Sequence, residues 1–228
     1  MKEIKNKKWN QTKTNDSWSI FKIMGEFVEG YEKLGAIGPC ISIFGSARTS
    51  EDNPHYKLSV DLAEELSKRG YGIISGGGPG IMEAANRGAQ KGVGPSVGLN
   101  IDLPFEQFNN QYIDSDKILN YHYFFIRKVM FVKYAQGFIV MPGGFGTLDE
   151  IFEALTLIQT SKSEKFPIIL VGSEFWEGML DWLKRTLLTE NKNINKEDLD
   201  LLKIADTKEE VMNILEEFHN NYDFSPNF

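Results

Sequence analysis

A doubly wound, mostly parallel α/β sheet with helices on both faces is the fold this sequence predicts, and three observations lead there. Short apolar runs alternate with longer stretches of helical periodicity along most of the 228 residues. Three glycine-rich turns, at Gly45, at residues 76–80 and at residues 143–146, each follow a strand-like run. No internal repeat and no linker rich in Pro, Gly or Ser divides the chain, so one domain with an N-terminal helical extension is expected.

Taken in order, residues 1–16 are polar and charged and read as a poorly ordered tail. Asp16 or Ser17 offers a cap for a helix over residues 17–35, where Trp18, Phe21, Met24, Phe27, Val28, Tyr31 and Leu34 recur at helical spacing. That stripe is expected to pack on the main domain or on a second subunit. The segment carries more acid than base, which argues against a membrane-surface helix.

Residues 36–228 then read as a Rossmann-like nucleotide-binding domain. A strand over 41–44 ends at Gly45 and Ser46, and a helix over 53–69 buries Leu58, Leu62 and Leu66 before Gly70 stops it. A strand at 71–74 runs into the glycine loop, followed by a helix over 81–91 and a strand at 97–101. Residues 102–116 form a long polar loop without periodicity, a length often tied to function. A short strand at 118–121, a helix at 123–136 and a buried strand at 138–141 come next. Pro142 and three glycines break that strand, and a helix follows to about residue 160. Strands at 166–171 and 201–205 and helices at 174–188 and 208–220 complete the pattern. In such sheets ligands bind at the carboxyl ends of the strands, so the three glycine loops line one crevice.

Composition narrows the partners. A net charge of −7 argues against nucleic acid but not against a small phosphorylated ligand. The single cysteine, Cys40, excludes an intrachain disulfide, and His55, His122 and His219 are scattered, so no metal is expected. The longest apolar runs, such as residues 167–171, are too short to span a bilayer, and no apolar signal segment follows Met1. A soluble cytoplasmic protein without membrane attachment is the expectation.

The stretch 137–150 concentrates the chemistry. A buried strand that ends in a glycine turn and feeds a helix leaves backbone N–H groups pointing at an anion, where the helix dipole also favours negative charge. The dinucleotide fingerprint fails here, since its third glycine position is occupied by Asp149 after Gly144 and Gly146, and by Glu83 after Gly78 and Gly80. No GKS or GKT sequence supports a P-loop. The string from Gly94 through Ser96 to Gly98 leads into a strand, not out of one, and is a chance GxSxG match. A metal-free site for a mononucleotide-like phosphate survives.

At these residues the chain resembles a known family. Pro142, Gly143, Gly144, Phe145, Gly146, Thr147, Leu148, Asp149 and Glu150 match the PGGxGTxxE motif of the Lonely Guy (LOG) family, also labelled "lysine decarboxylase". Arg127, Lys128, Val129 and Met130 match its RKxxM segment. Ser75 to Met82 match its first glycine loop, and Phe44, Gly45 and Ser46 its opening turn. The resemblance spans about residues 41–171 and is nearest the longer branch with an extra N-terminal helix.

The resemblance implies a phosphoribohydrolase that splits the N-glycosidic bond of a nucleoside 5′-monophosphate, either AMP or an N6-substituted cytokinin riboside monophosphate. It implies no cofactor, and a homodimer or larger assembly. Arg127 and Glu150 are then the catalytic pair. Gly45, Ser46, Gly77, Gly78, Gly80, Gly143, Gly144, Phe145, Gly146 and Thr147 are expected to hold ribose or phosphate, with Glu106, Lys128 and Thr156 as weaker contacts. Spacing alone gives Glu150 a second reading, the reciprocal partner of Thr147 in a capping box. For Arg127 the competing reading is a salt-bridged surface side chain. Two other functions are weighed: a non-catalytic carrier of a nucleotide or phosphorylated cofactor, and a pyridoxal phosphate decarboxylase. The last lacks a lysine within its glycine loops.

Overall fold

The computed structural model describes residues 9–103 and 109–228, with side chains from residue 17 onward. Seven strands form one sheet: β1 (Cys40–Phe44), β2 (Gly72–Ser75), β3 (Ser96–Ile101), β4 (Ile118–Tyr121), β5 (Ala135–Val140), β6 (Ile168–Val171) and β7 (Leu202–Ala205). All pair in parallel in the order β4-β3-β2-β1-β5-β6-β7. The expected "mostly parallel" sheet is therefore wholly parallel among the described residues. Strand order reverses between β1 and β5, the switch point where parallel sheets open a crevice.

Helices α1 (Trp9–Gly35), α2 (Pro54–Lys68), α3 (Ile81–Lys91), α4 (Phe124–Lys133), α5 (Phe145–Gln159), α6 (Ser173–Trp182), α7 (Lys196–Leu199) and α8 (Lys208–His219) surround the sheet. Strand residues alternate between its two faces. Ile41, Ile43, Ile139, Met141, Ile169 and Val171 meet Leu62 and Leu66 of α2, Ile81 of α3 and Val211 and Leu215 of α8. Phe44, Phe138, Val140, Ile168 and Leu170 meet Leu34 of α1, Ile126 and Met130 of α4, Ile151 of α5 and Trp176 of α6 on the other face. That period of two, buried on both faces, is why the strands read as continuous apolar runs.

Several boundaries differ from expectation for local reasons. Helix α1 begins at Trp9, so Asp16 and Ser17 lie inside it rather than capping it, and residues 9–16 are not an unstructured tail. Ala135 joins the sheet by pairing with Cys40, which moves the start of β5 ahead of Gly137 and ends α4 at Lys133. The helix expected over 174–188 is α6 followed by a π-helical segment Leu183–Glu190, extended by the bond from Asn191 N to Thr186 O at 3.0 Å. Helix α7, one turn with an Asn195 capping box, was not anticipated.

Helix α1 is fixed by a buried acid. Glu26 is only 8 % exposed, and it accepts hydrogen bonds from His122 N (3.2 Å) and contacts His122 Nδ1 (2.9 Å) just beyond β4. His122 Nε2 in turn lies 3.3 Å from Asp102 Oδ2, after β3. Among the described residues no helix is long and apolar enough to cross a membrane.

Candidate active site

A cleft of about 630 Å³ opens at the switch point, over the carboxyl ends of β1 and β5. Gly45, Ser46 and Arg48 from the β1 turn, Gly76 from the β2 turn and Gly144, Gly146, Thr147 and Glu150 from the β5 turn line it. Arg127 of α4 closes one wall, and Phe44, Met82, Ile101, Leu103, Phe124 and Phe131 supply apolar surface.

Helix α5 begins at Phe145 with Gly144 as its cap and no side-chain cap bond. Thr147 is thus already in the first turn, and Glu150 one turn further on. The capping-box reading of Thr147 and Glu150 is wrong for this geometric reason. The first N–H groups of α5 are left to face the cleft without a side-chain acceptor, which suits an anion.

The glycines divide into two kinds. A Cβ on Gly45 would meet Ile81 at 2.7 Å, and one on Gly143 would collide with Thr147 Oγ1. Gly80 has φ +67° and presses on the backbone of Ser46 and Ala47, while Gly77 has φ +76° and presses on Asn100. These are demands of the fold itself. Gly144 and Gly146 meet nothing within 4 Å. Nothing in the protein itself forbids a side chain at these two positions.

Gly77, Gly78 and Gly80 do not line the cleft, contrary to expectation. Their carbonyls and turns are taken up internally: Asn110 Nδ2 donates to Gly77 O (3.2 Å), Gly78 O (3.1 Å) and Asn86 Oδ1 (2.9 Å). Gly76 is the residue of this loop that reaches the cleft, where a Cβ would stand 2.5 Å from Arg127 Nη2. Arg127 is not a surface side chain. Its Nε donates to Leu99 O at 2.7 Å, and its Cζ lies 5.1 Å from the Phe131 ring centroid. Burial pulls the guanidinium below the usual arginine range, while the charge of Glu150 opposes that shift.

Glu150 is 7 % exposed, and its Oε2 is buried without a hydrogen-bond partner. Burial pushes its carboxyl up to about 7; Lys128 and Arg127 pull it down, and Glu153 and Asp149 push it further up. A buried carboxyl that titrates near neutrality, in the field of a half-buried guanidinium lining the same cleft, has the electrostatics of an acid–base site.

The weaker expectations fare differently. Lys128 does not itself line the cleft but binds Asp149, which does, with Nζ 2.6 Å from Asp149 Oδ2 and 3.0 Å from Glu153 Oε2, the latter an ion pair that lacks hydrogen-bond geometry. It acts on Glu150 through its charge alone. Thr156 lies exposed on α5, away from the cleft, and donates back to Phe152 O at 2.7 Å. Glu106 lies outside the described residues. Arg48, Gly76, Met82 and Phe124 line the cleft and were missed. Arg48 could have been found from its place in the turn that ends β1.

No lysine lines the cleft among the described residues, so the lysine Schiff base of a pyridoxal phosphate enzyme has no anchor there. Among the described residues no group of three or more His, Cys, Asp or Glu side chains is arranged to hold a metal.

Comparison with known proteins agrees with this architecture. A cytokinin riboside 5′-monophosphate phosphoribohydrolase of Arabidopsis thaliana is 24 % identical over 181 residues, covering 78 % of this chain and 82 % of that protein. Its counterpart in Oryza sativa is 27 % identical over 183 residues, covering 78 % and 73 %. Among solved structures, the molybdenum cofactor carrier protein of Chlamydomonas reinhardtii superposes with a TM-score of 0.61 at 18 % identity, covering 81 % of this chain and 99 % of that one. The sequence model of the family described as "Possible lysine decarboxylase" matches residues 82–215. That match covers more than half of the chain, and the protein therefore belongs to this family, the LOG family.

Proposed function

We propose that the protein hydrolyses the N-glycosidic bond of a nucleoside 5′-monophosphate, AMP or an N6-substituted relative, to free base and ribose 5-phosphate. The observation that carries this reading is Glu150, a buried carboxyl raised to about 7, with an unpartnered Oε2, beside the uncapped N-terminus of α5.

The 5′-phosphate sits on the N–H groups of α5 at Gly144–Thr147, with Gly144 and Gly146 giving its oxygens access to the backbone. The sugar lies over Glu150 and the base extends between Arg127 and the apolar wall. As the C1′–N bond breaks, positive charge develops on the sugar and Glu150 opposes it. Water adds its oxygen to C1′ and keeps one hydrogen as the new hydroxyl; the other proton passes to the carboxylate of Glu150 and from there to the nitrogen of the departing base, which has taken the bonding pair, so that Glu150 ends as it began. The guanidinium of Arg127 orients the substrate from across the cleft.

The runner-up is a protein that binds a nucleotide or phosphorylated cofactor without turnover, a reading raised by the carrier-like fold. It leaves the raised carboxyl of Glu150 without a task. Incubation with a panel of purine and pyrimidine 5′-monophosphates, followed by chromatography of free base and ribose 5-phosphate, separates the two. Release of base that disappears in Glu150→Gln supports the hydrolase. Binding without release from any member of the panel supports the carrier.

A further inference from the structure

We infer that Asn227 is a positioning residue for Arg127. It fixes the last turn of α4, the helix that carries the guanidinium into the cleft. Its effect on turnover rests on the hydrolase reading above; its effect on the helix stands on geometry alone.

Helix α4 has 10 residues, Phe124–Lys133, fewer than a helix needs to hold itself in water. No side chain caps its N-terminus at Tyr123. Its other end has no glycine: Tyr134 is the cap and Ala135 already belongs to β5. The last carbonyls of such a helix have no partner within it and must find donors elsewhere. Strand β1 supplies one, as Ser42 Oγ donates to Phe131 O at 3.2 Å. Asn227 serves the next. Its backbone N–H donates to Lys133 O at 2.9 Å, and its Nδ2 to Val132 O at 2.6 Å and Ala135 O at 2.7 Å. A distant residue thus replaces a local stop signal, which is why the sequence pattern let this helix run on to residue 136.

Asn227 is itself held on both sides. It is buried, and its carbonyl accepts from Glu164 N at 3.1 Å. Gln136 Nε2 donates to Ser225 O at 2.8 Å, and Lys133 Nζ donates to Phe228 O. The segment after α8 is therefore a strap across the start of β5. The chemistry at its centre suits asparagine, whose single side-chain nitrogen offers two N–H groups without a charge. A carboxylate there would face two carbonyls with no proton to offer.

Arg127 lies six residues before the end of α4, less than two turns. Its Nε donates to Leu99 O at 2.7 Å, and its Nη2 packs against Gly76. Ile126 and Met130 anchor the helix in the core, but apolar packing is non-directional. The bonds to Asn227 are directional, and they fix the register of α4 along its own axis.

Hydrogen exchange at Arg127 Nε–H tests the placement without substrate. It is followed by NMR on arginine-labelled protein well below the unfolding temperature, and assigned by the signal's loss in Arg127→Lys. Asn227→Ala should speed this exchange and that of the α4 amides about tenfold or more, while amides of β1 and α2 keep their rates. Asn227→Ser, whose hydroxyl keeps one donor, should fall between, and it decides the matter should the alanine variant not fold. Thr207→Ala removes the side-chain acceptor that caps α8 at Glu210 N (3.2 Å). It is the control for a general loss of stability and should leave Arg127 as it was. In the base-release assay Asn227→Ala should lower kcat roughly tenfold with KM changed by less than about twofold, since the backbone cradle of α5 is untouched. Unchanged exchange at Arg127 in the Asn227 variants, equal acceleration in Thr207→Ala, or faster exchange with full turnover would each overturn the proposal. No base release from wild type would instead sink the hydrolase reading, and exchange alone would then decide the positioning.

Discussion

Gly76 and Arg127 are packed so closely that a single Cβ on the glycine would stand 2.5 Å from the guanidinium. Gly76→Ala should therefore displace Arg127 from the cleft wall while leaving its bond to Leu99 O strained. We expect kcat/KM for nucleotide cleavage to fall roughly 10²-fold, a scale typical of a displaced positioning group. A crystal structure of the variant with an unmoved guanidinium and full activity would contradict this.

Glu150→Gln separates stability from function. The carboxyl's folded pKa, about 7, lies above its value of 4.5 in an unfolded chain. Between those values the folded state binds the extra proton, so this group's contribution to stability declines as pH rises through the window from 4.5 to 7. Above pH 7 the buried charge costs about 3 kcal/mol. The amide carries no such cost, so the variant should be more stable than wild type at pH 8 and little changed at pH 4.5. Its activity should be lost at both. Denaturant titrations at the two pH values check the sign.

Lys128→Ala removes the strongest of the forces that keep the carboxyl of Glu150 from rising further. The acid limb of the kcat/KM profile should move to higher pH, with activity at pH 6 falling more than at pH 8. A substrate contact at Lys128 would instead raise KM equally at all pH values.

Gly144→Ala should cost little stability, since nothing lies within 4 Å of the added methyl and the backbone there has φ −97°. Affinity for a 5′-monophosphate should nonetheless drop, by about tenfold or more, if the open space belongs to phosphate. Calorimetric titration of AMP into both proteins reads this directly.

Asn110→Ala strands the carbonyl of Gly78 and takes a second donor from Gly77 O and from Asn86 Oδ1, which keep the Asn110 backbone N–H and the Ser75 hydroxyl. Loss of about 1–3 kcal/mol of unfolding free energy is expected. A neutral result in denaturant titration would show that water replaces the amide.

The sheet was legible because its signals are local. Runs such as Ile168–Val171 are apolar on both faces, and glycine turns follow each of β1, β2 and β5. Arg127 and Glu150 were legible only through the motif. What escaped was set by contacts between distant residues. Whether Thr147 caps α5 depends on where Gly144 ends the turn, and whether Gly77 touches ligand depends on Asn110, far along the chain. Lys128 stands beside Arg127 in sequence but faces another way, because one residue is about 100° around a helix. The start of β5 at Ala135 reflects its pairing with Cys40, which no periodicity announces.

The same amide of Asn110 has a consequence for how this protein can diversify. Leu103 lines the cleft, and Asn110 is bolted to the second glycine turn. Its side chain therefore ties the loop after β3 to the turn after β2. A substitution at Asn110 would reach that turn, and through Gly76 the packing of Arg127, without disturbing the sheet. In a lineage of such proteins, the wall of the cleft would change in this way while Arg127 and Glu150 stay untouched.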